Sequence, residues 1–141
     1  MLKEKLKNYK IILASSSPRR QQFFKDLDLD FEIRLKEIEE IFPPELKGPE
    51  ITDYLSLLKA NAFEEDLQQN DLLITSDTIV WHKNCALGKP KDHQDAFEIL
   101  KALSGDTHEV ITSVCFKTKT SFYLINETTK VTFNALSDEA I

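Results

Sequence analysis

The strongest constraint on this chain is a carboxylate set inside an apolar run. Leu72 to Val80 reads LLITSDTIV, the β-branched and aliphatic composition of a buried central strand. Its middle holds the polar stretch Thr75-Ser76-Asp77-Thr78. Burying a carboxylate is costly unless a cation or hydrogen-bond donors meet it. In open α/β sheets ligands gather at the ends of central strands. Asp77 therefore reads as a ligand for a hard cation or as a base toward water. It reads equally as a strand-end Asp that accepts from backbone amides.

The elements around this run alternate. Lys10 to Ala14 is a short apolar run suited to a buried strand, and Phe31 to Leu35 alternates as a half-buried strand does. Between them Ser17 reads as an N-cap and Pro18 as the first position of a helix. Thr52 and Asp53 open a second helix, with Leu55, Leu58, Ala62 and Phe63 on one face. Trp81 and the turn at Lys83-Asn84 extend the central strand into a hairpin. Asp92 and Asp95 cap a third helix that runs to about Leu103, with Gly105 as its stop. His108 to Phe116 and Phe122 to Phe133 read as an antiparallel pair. The order implies an α/β fold, a mixed sheet flanked by helices. At 141 residues the chain has the length of one domain, spanning 1–141. Leu136 to Ile141 reads as a helix start where the chain stops, which implies a sequence truncated at the C-terminus.

Composition narrows the function classes. A net charge of −6 argues against a broad nucleic-acid surface, which needs a basic face. It leaves room for a small anion held by a local basic cluster. No apolar run approaches the ~20 residues that span a bilayer, and no apolar segment of the secretory kind follows the basic start. The expectation is a cytoplasmic protein without a membrane or nucleic-acid partner. Cys85 and Cys115 match no metal-ligand spacing and read as two buried thiols.

Four further segments bear on chemistry. Ser15, Ser16, Ser17, Pro18, Arg19 and Arg20 form a hydroxyl-rich turn into a helix N-terminus with two arginines. Free N–H groups, hydroxyls and guanidinium forks together suit a polyphosphate. The glycines of a P-loop are absent. Gly88-Lys89-Pro90-Lys91 places Lys89 in a stiffened turn, able to neutralise phosphoryl charge. Ile38-Glu39-Glu40-Ile41 offers a second metal ligand or a solvated acidic loop, and Lys59 is a further cation on the second helix. His108 reads as structural; His82 and His93 have no evident partner.

Together these motifs resemble the Maf family: LASSSPRR at 13–20, IEE at 38–40, SDTIV at 76–80, GKP at 88–90 and LSGDTHEVIT at 103–112. The resemblance covers the whole chain and implies an ITPase-like mixed sheet, with the family pattern continuing beyond Ile141. It implies a nucleoside triphosphate pyrophosphatase that needs Mg2+ or Mn2+ and forms a homodimer. Carried over residue by residue, it implies Asp77 as proton acceptor, with Glu40, Lys59 and Lys89 as catalytic partners. Ser15, Ser17, Arg19, Arg20 and Thr78 would bind substrate, and Asp77 and Glu40 the metal. Arg19 with Thr78 resembles the branch selective for dTTP and UTP. Two other readings stay open: a nucleotide-binding module impaired in catalysis, and a cell-division regulator acting through protein contacts.

Overall fold

The structure, a computed structural model, describes residues 8–15, 17–87 and 92–134. The apolar run becomes β3, Asp71–His82, at the centre of a mixed sheet. Around it lie β1 (Lys10–Leu13), β2 (Phe31–Ile33), β4 (Cys85–Leu87), β5 (Thr107–Lys117) and β6 (Phe122–Thr132), in the order β2-β1-β3-β5-β6, with β4 also on β3. β1 is parallel to β2 and β3, whereas β4 and β5 run antiparallel to β3, and β6 antiparallel to β5. Three α-helices, α1 (Pro18–Asp26), α2 (Pro49–Asn61) and α3 (His93–Leu103), and a short 3-10 turn at Glu64–Asp66 complete the described residues. The expected fold class is therefore what is found.

One feature of the pairing positions the site. β1 pairs with Asp71 to Ile74, and β4 pairs with Val80 to His82 on the same edge of β3. Between them Thr75 to Ile79 are paired to β5 alone. The gap leaves backbone groups of the central strand to be satisfied by side chains.

Strand alternation then sorts the residues of the gap onto two faces. Thr75, Asp77 and Ile79 share a face with Cys115, Ser113 and Ile111 of β5. That face is covered by α2. Ile51 and Leu55 pack on Ile79 and Ile111, and Ala60 joins Ile12, Leu73 and Cys115. A polar seam fixes the helix along its length. Ser56 Oγ donates to the Ser113 carbonyl at 3.1 Å, and Thr75 Oγ1 donates to the Ser56 carbonyl at 2.8 Å. Ser113 Oγ lies 2.6 Å from Asp53 Oδ1, which also accepts from Asn126 Nδ2 of β6 at 3.2 Å. Ser76, Thr78 and Val80 point to the other face with Val114, Thr112 and Val110. There α1 covers the β1 end, with Phe24 joining Ile11, Leu13, Leu29 and Ile74.

Several local expectations hold. Ser17 caps α1, its Oγ accepting from Arg20 N, with Pro18 in the first turn. Asp92 caps α3 by accepting from Asp95 N, and Gly105 follows at φ 68°. Lys83 and Asn84 take φ values of 51° and 61°, the paired left-handed turn that matches strand twist.

Others shift for physical reasons. β2 stops at Ile33, because β1 ends opposite it and leaves Leu35 no ladder partner. α2 opens at Pro49 rather than Thr52, since a proline suits the first helical turn. Thr52 is instead fully buried, donating to the Pro49 carbonyl at 3.1 Å. Ala62 is exposed just past the helix, where Phe63 alone turns back into the core. Asp77 sits in the middle of β3, not at a strand end. Cys115 is buried as expected, but Cys85 is exposed, since it opens the short rim strand β4 directly after the turn. The expected helix start at Leu136 to Ile141 and the turn at Gly88 to Lys91 lie outside the described residues.

Gly48 precedes α2 with φ 55° and ψ −126°, a region costly for any residue with a Cβ. An added Cβ would meet its nearest atom, Ile111 Cδ1, at an ordinary 3.8 Å, so the cost would be conformational and not steric. Gly48→Ala should destabilise the fold by about 1–3 kcal/mol. A urea unfolding midpoint equal to that of the parent would show that this backbone state is not needed.

Candidate active site

The gap in β3 is filled by a cation from α2. Lys59 Nζ lies 2.9 Å from Asp77 Oδ1 and 2.8 Å from Glu40 Oε1, and donates to the Ser76 carbonyl at 3.1 Å. One ammonium thus satisfies a strand carbonyl and two carboxylates. Lys59 is not the helix-surface residue its sequence context allows; its side chain keeps only 20% of its exposure. Glu40, on the loop before α2, stays half-exposed, whereas Asp77 is buried. Asp77 Oδ2 is buried without a hydrogen-bond partner among the described residues. Asp77 itself lines a 270 Å³ cavity together with Arg20, Glu40 and Lys59.

Charge follows from this packing. Burial pushes the Asp77 carboxyl above the usual carboxylate range, and neighbouring Glu40 adds to it, while Lys59 and Arg20 oppose it. Burial alone would lower the Lys59 ammonium, but its bonds to Glu40 and Asp77 outweigh that, and it titrates above its ordinary value of 10.5. With two carboxylates around one ammonium, the cation gains and the more buried anion bears the cost. Arg20 is lowered by burial, against the pull of Asp77.

Arg20 reaches the gap from α1. Its Nη2 donates to Thr78 Oγ1 at 2.8 Å, and Thr78 Oγ1 lies 3.0 Å from Thr112 Oγ1 on β5. The turn behind it is held by Ser15, whose Oγ accepts from Ser17 N at 3.1 Å and whose carbonyl accepts from Gln21 Nε2 at 2.9 Å. A 240 Å³ cavity lined by Ser15, Ser17, Arg20, Glu40 and Lys59 adjoins this turn. On the opposite sheet face a larger cavity of 690 Å³ is lined by Phe23, Ile74, Val110, Val114, Arg19 and Thr112, among others. Arg20 lines all three cavities.

The fold therefore brings Ser15, Ser17, Arg20, Glu40, Lys59, Asp77 and Thr78 together, as the sequence motifs imply. Arg19 is exposed and faces the large cavity only. Lys89 lies outside the described residues. Among the described residues no cluster of three or more His, Cys, Asp or Glu side chains is placed to hold a metal on its own.

Sequence reasoning missed three things. The Ser76 carbonyl and Thr112 enter through pairing register, which motif spacing does not show. His82 does have a partner: its Nε2 lies 2.9 Å from Asp106 Oδ2, at the far end of β3 from β1. His108 is buried edge-on to Phe133 at 4.8 Å, in keeping with a structural role.

Comparison with known proteins follows the same lines. A sequence model described as Maf-like protein matches residues 10–141. A relative from Flavobacterium johnsoniae named dTTP/UTP pyrophosphatase is 72% identical over all of this chain and 73% of its own length. One of the same name from Flavobacterium psychrophilum is 69% identical, covering all of this chain and 72% of its own. Among solved structures, the Ham1 protein of Staphylococcus aureus aligns with a TM-score of 0.62 at 14% identity, covering 86% of this chain and 70% of that one. A dITP/XTP pyrophosphatase from Mycobacterium abscessus aligns at 0.54 and 14% identity, over 86% and 72%. At that identity the likeness is one of fold alone.

The electrostatics yield a test. Lys59→Met should raise the Asp77 carboxyl further, since it removes the strongest influence holding it down. A group raised in the folded state favours folding at acid pH and loses that contribution as pH rises through its folded value. The variant should thus lose most stability at neutral pH and recover part of it on acidification. Carbon-13 titration of the Asp77 carboxyl, with urea midpoints at acid and neutral pH, checks this. An unmoved Asp77 midpoint would mean that Lys59 does not govern its charge.

Proposed function

The chain belongs to the family of Maf-like proteins, and on that premise we propose that it is a nucleoside triphosphate pyrophosphatase acting on dTTP and UTP. One observation supports the reading most: a buried carboxylate with one oxygen lacking a hydrogen-bond partner among the described residues, set at a gap in a central strand between Lys59 and Arg20. Such a site suits hydrolysis at a polyanion. The relatives of that name supply the substrate.

In this reading the polyphosphate lies along the turn from Ser15 to Arg20. Arg20 and Lys59 offset its charge, and phosphoryl transfer depends chiefly on such positioning and neutralisation. Asp77 orients a water against the α-phosphorus and takes its proton. The bond to the bridging oxygen on the β-phosphate breaks, releasing nucleoside monophosphate and pyrophosphate. Burial makes Asp77 a stronger proton acceptor than an exposed carboxylate, and the Lys59 ammonium works against that rise by favouring the charged form.

The donor set fits a divalent cation of the Mg2+ or Mn2+ kind. Mg2+ takes one or two carboxylates, with phosphate oxygens and waters completing its shell. Asp77 Oδ2 is the oxygen without a hydrogen-bond partner among the described residues, and the half-exposed Glu40 is the second carboxylate. When bound, the ion would polarise phosphate oxygens and lower the barrier to attack. Lys89 and Arg19 are the further cations we assign to the substrate. We place the reaction in a single catalytic domain in the cytoplasm. Two observations agree with that: both cysteines are free thiols, and no helix among the described residues is long and apolar enough to cross a membrane. A homodimer is part of the same reading, supported by the exposed Phe122, Tyr123 and Ile125 of β6.

Pyrophosphate release from dTTP and UTP, with Mg2+ or Mn2+, is the expected activity, and a chelator should abolish it. Asp77→Asn should lower the rate on the order of 10²–10³-fold while leaving the unfolding transition cooperative. Near-parental turnover in that variant would remove Asp77 as the base. Absence of release from every nucleotide would overturn the function.

A further inference from the structure

The 690 Å³ cavity lies on the sheet face away from Asp77, and its walls are largely apolar. Phe23, Ile74 and Val114 offer flat and branched surfaces suited to a ring. Its polar end is built by three side chains in series. Arg20 Nη2 donates to Thr78 Oγ1, which is 3.0 Å from Thr112 Oγ1. The register of β3 and β5 sets Thr78 opposite Thr112, so both hydroxyls stand on this face.

Counting protons decides what this end can recognise. A guanidinium only donates, and each hydroxyl holds one proton. One hydroxyl proton is used between the two threonines. The other is left to point at an occupant. The charge on Arg20 polarises the series toward donation at its far end, which is Thr112. Thr112 is half-buried and lines the cavity. Among the described residues the cavity lining includes no carboxylate and no side-chain amide, so its polar groups are donors and hydroxyls. An occupant with a keto oxygen finds a donor there. An occupant with an amino group at the same place sets its own donors against a cationic end.

We propose that Thr112 is a specificity-determining residue that, with Thr78, presents a hydroxyl proton to a keto oxygen on the base, favouring uracil and thymine rings over cytosine. The inference rests on the pyrophosphatase reading for its occupant, and it assigns the base to the face opposite Asp77. Arg20 then touches both halves of the substrate.

The test measures binding apart from turnover. Calorimetry with Mg2+ and the non-hydrolysable α,β-imido analogues of UTP and CTP is run on the parent chain, Thr112→Val and Thr112→Ser. Valine keeps the shape and strand preference but has no hydroxyl; serine restores the hydroxyl. The parent should prefer the UTP analogue. Thr112→Val should lose about tenfold in affinity for it, the size of one hydrogen bond, while changing the CTP analogue by less than about twofold. Thr112→Ser should keep the preference. Equal losses for both analogues, no loss, or no preference in the parent would each overturn the proposal, as would failure of the parent to bind either. Pyrophosphate release is read separately. A parent that binds with the expected preference but releases nothing would defeat the catalytic reading and leave this one standing. A parent that turns over UTP and CTP alike, unaffected by Thr112→Val, would do the reverse.

Discussion

The Lys59 ammonium is the contact on which the site depends. A carboxylate in the middle of a sheet has to be met by charge or by donors, and here one cation meets Asp77, Glu40 and the free Ser76 carbonyl together. That is feasible only because β1 ends before Asp77 and β4 begins after it. Were either strand to continue, backbone amides would take the Ser76 carbonyl and bar the lysine. The gap in the ladder and the position of the cation are thus one design. The seam of Thr75, Ser56 and Ser113 serves it, because Ser56 lies one helical turn from Lys59 and holds α2 in a single register on the sheet.

How much of this could be read in advance varies residue by residue. Asp77 was legible, because a charged side chain breaks an otherwise apolar run and physical cost singles it out. The cap at Ser17 was legible because capping is local. Lys59 was legible only through the family resemblance, since a lysine on an amphipathic helix is usually solvated and only the docking of α2 turns it inward. Arg19 and Arg20 are adjacent and alike in the chain, yet the helix directs one to the exposed rim and the other to the gap. The start of α2 was missed because Gly48 and Pro49 signal a loop as readily as a first helical turn. Thr112 closes the LSGDTHEVIT motif, but nothing in one dimension sets it apart from its neighbours there; it acquires meaning from the strand laid beside it.

Arg20 also joins two regions that alternation would keep apart. Asp77 and Thr78 are neighbours in sequence but face opposite sides of the sheet. A side chain entering from α1 at the open edge reaches both, bonding the hydroxyl of one and sensing the charge of the other. The discrimination of a ligand's ring and the handling of its phosphates therefore share a residue, and a change at Arg20 would alter both at once. This is a reason to examine selectivity through Thr112, which touches one face only.

The pairing of β1 with β3 has a bearing on how the molecule reaches this state. β5 and β6 meet across a short turn, where Thr118 N donates to the Ser121 carbonyl, and their ladder closes at little entropic cost. Lys10, by contrast, meets Asp71 only after everything between them has been looped out. Contacts of such long sequence separation form late and slow the overall rate. Until β1 arrives, α1 has no strand to leave from, and Arg20 cannot approach Thr78. An early species with β3, β5 and β6 assembled would hold Asp77 without its full complement of cations. The approach of Arg20 to the site is thus tied to a contact of long sequence separation, whereas Lys59 comes from the α-helix that precedes β3 in the chain.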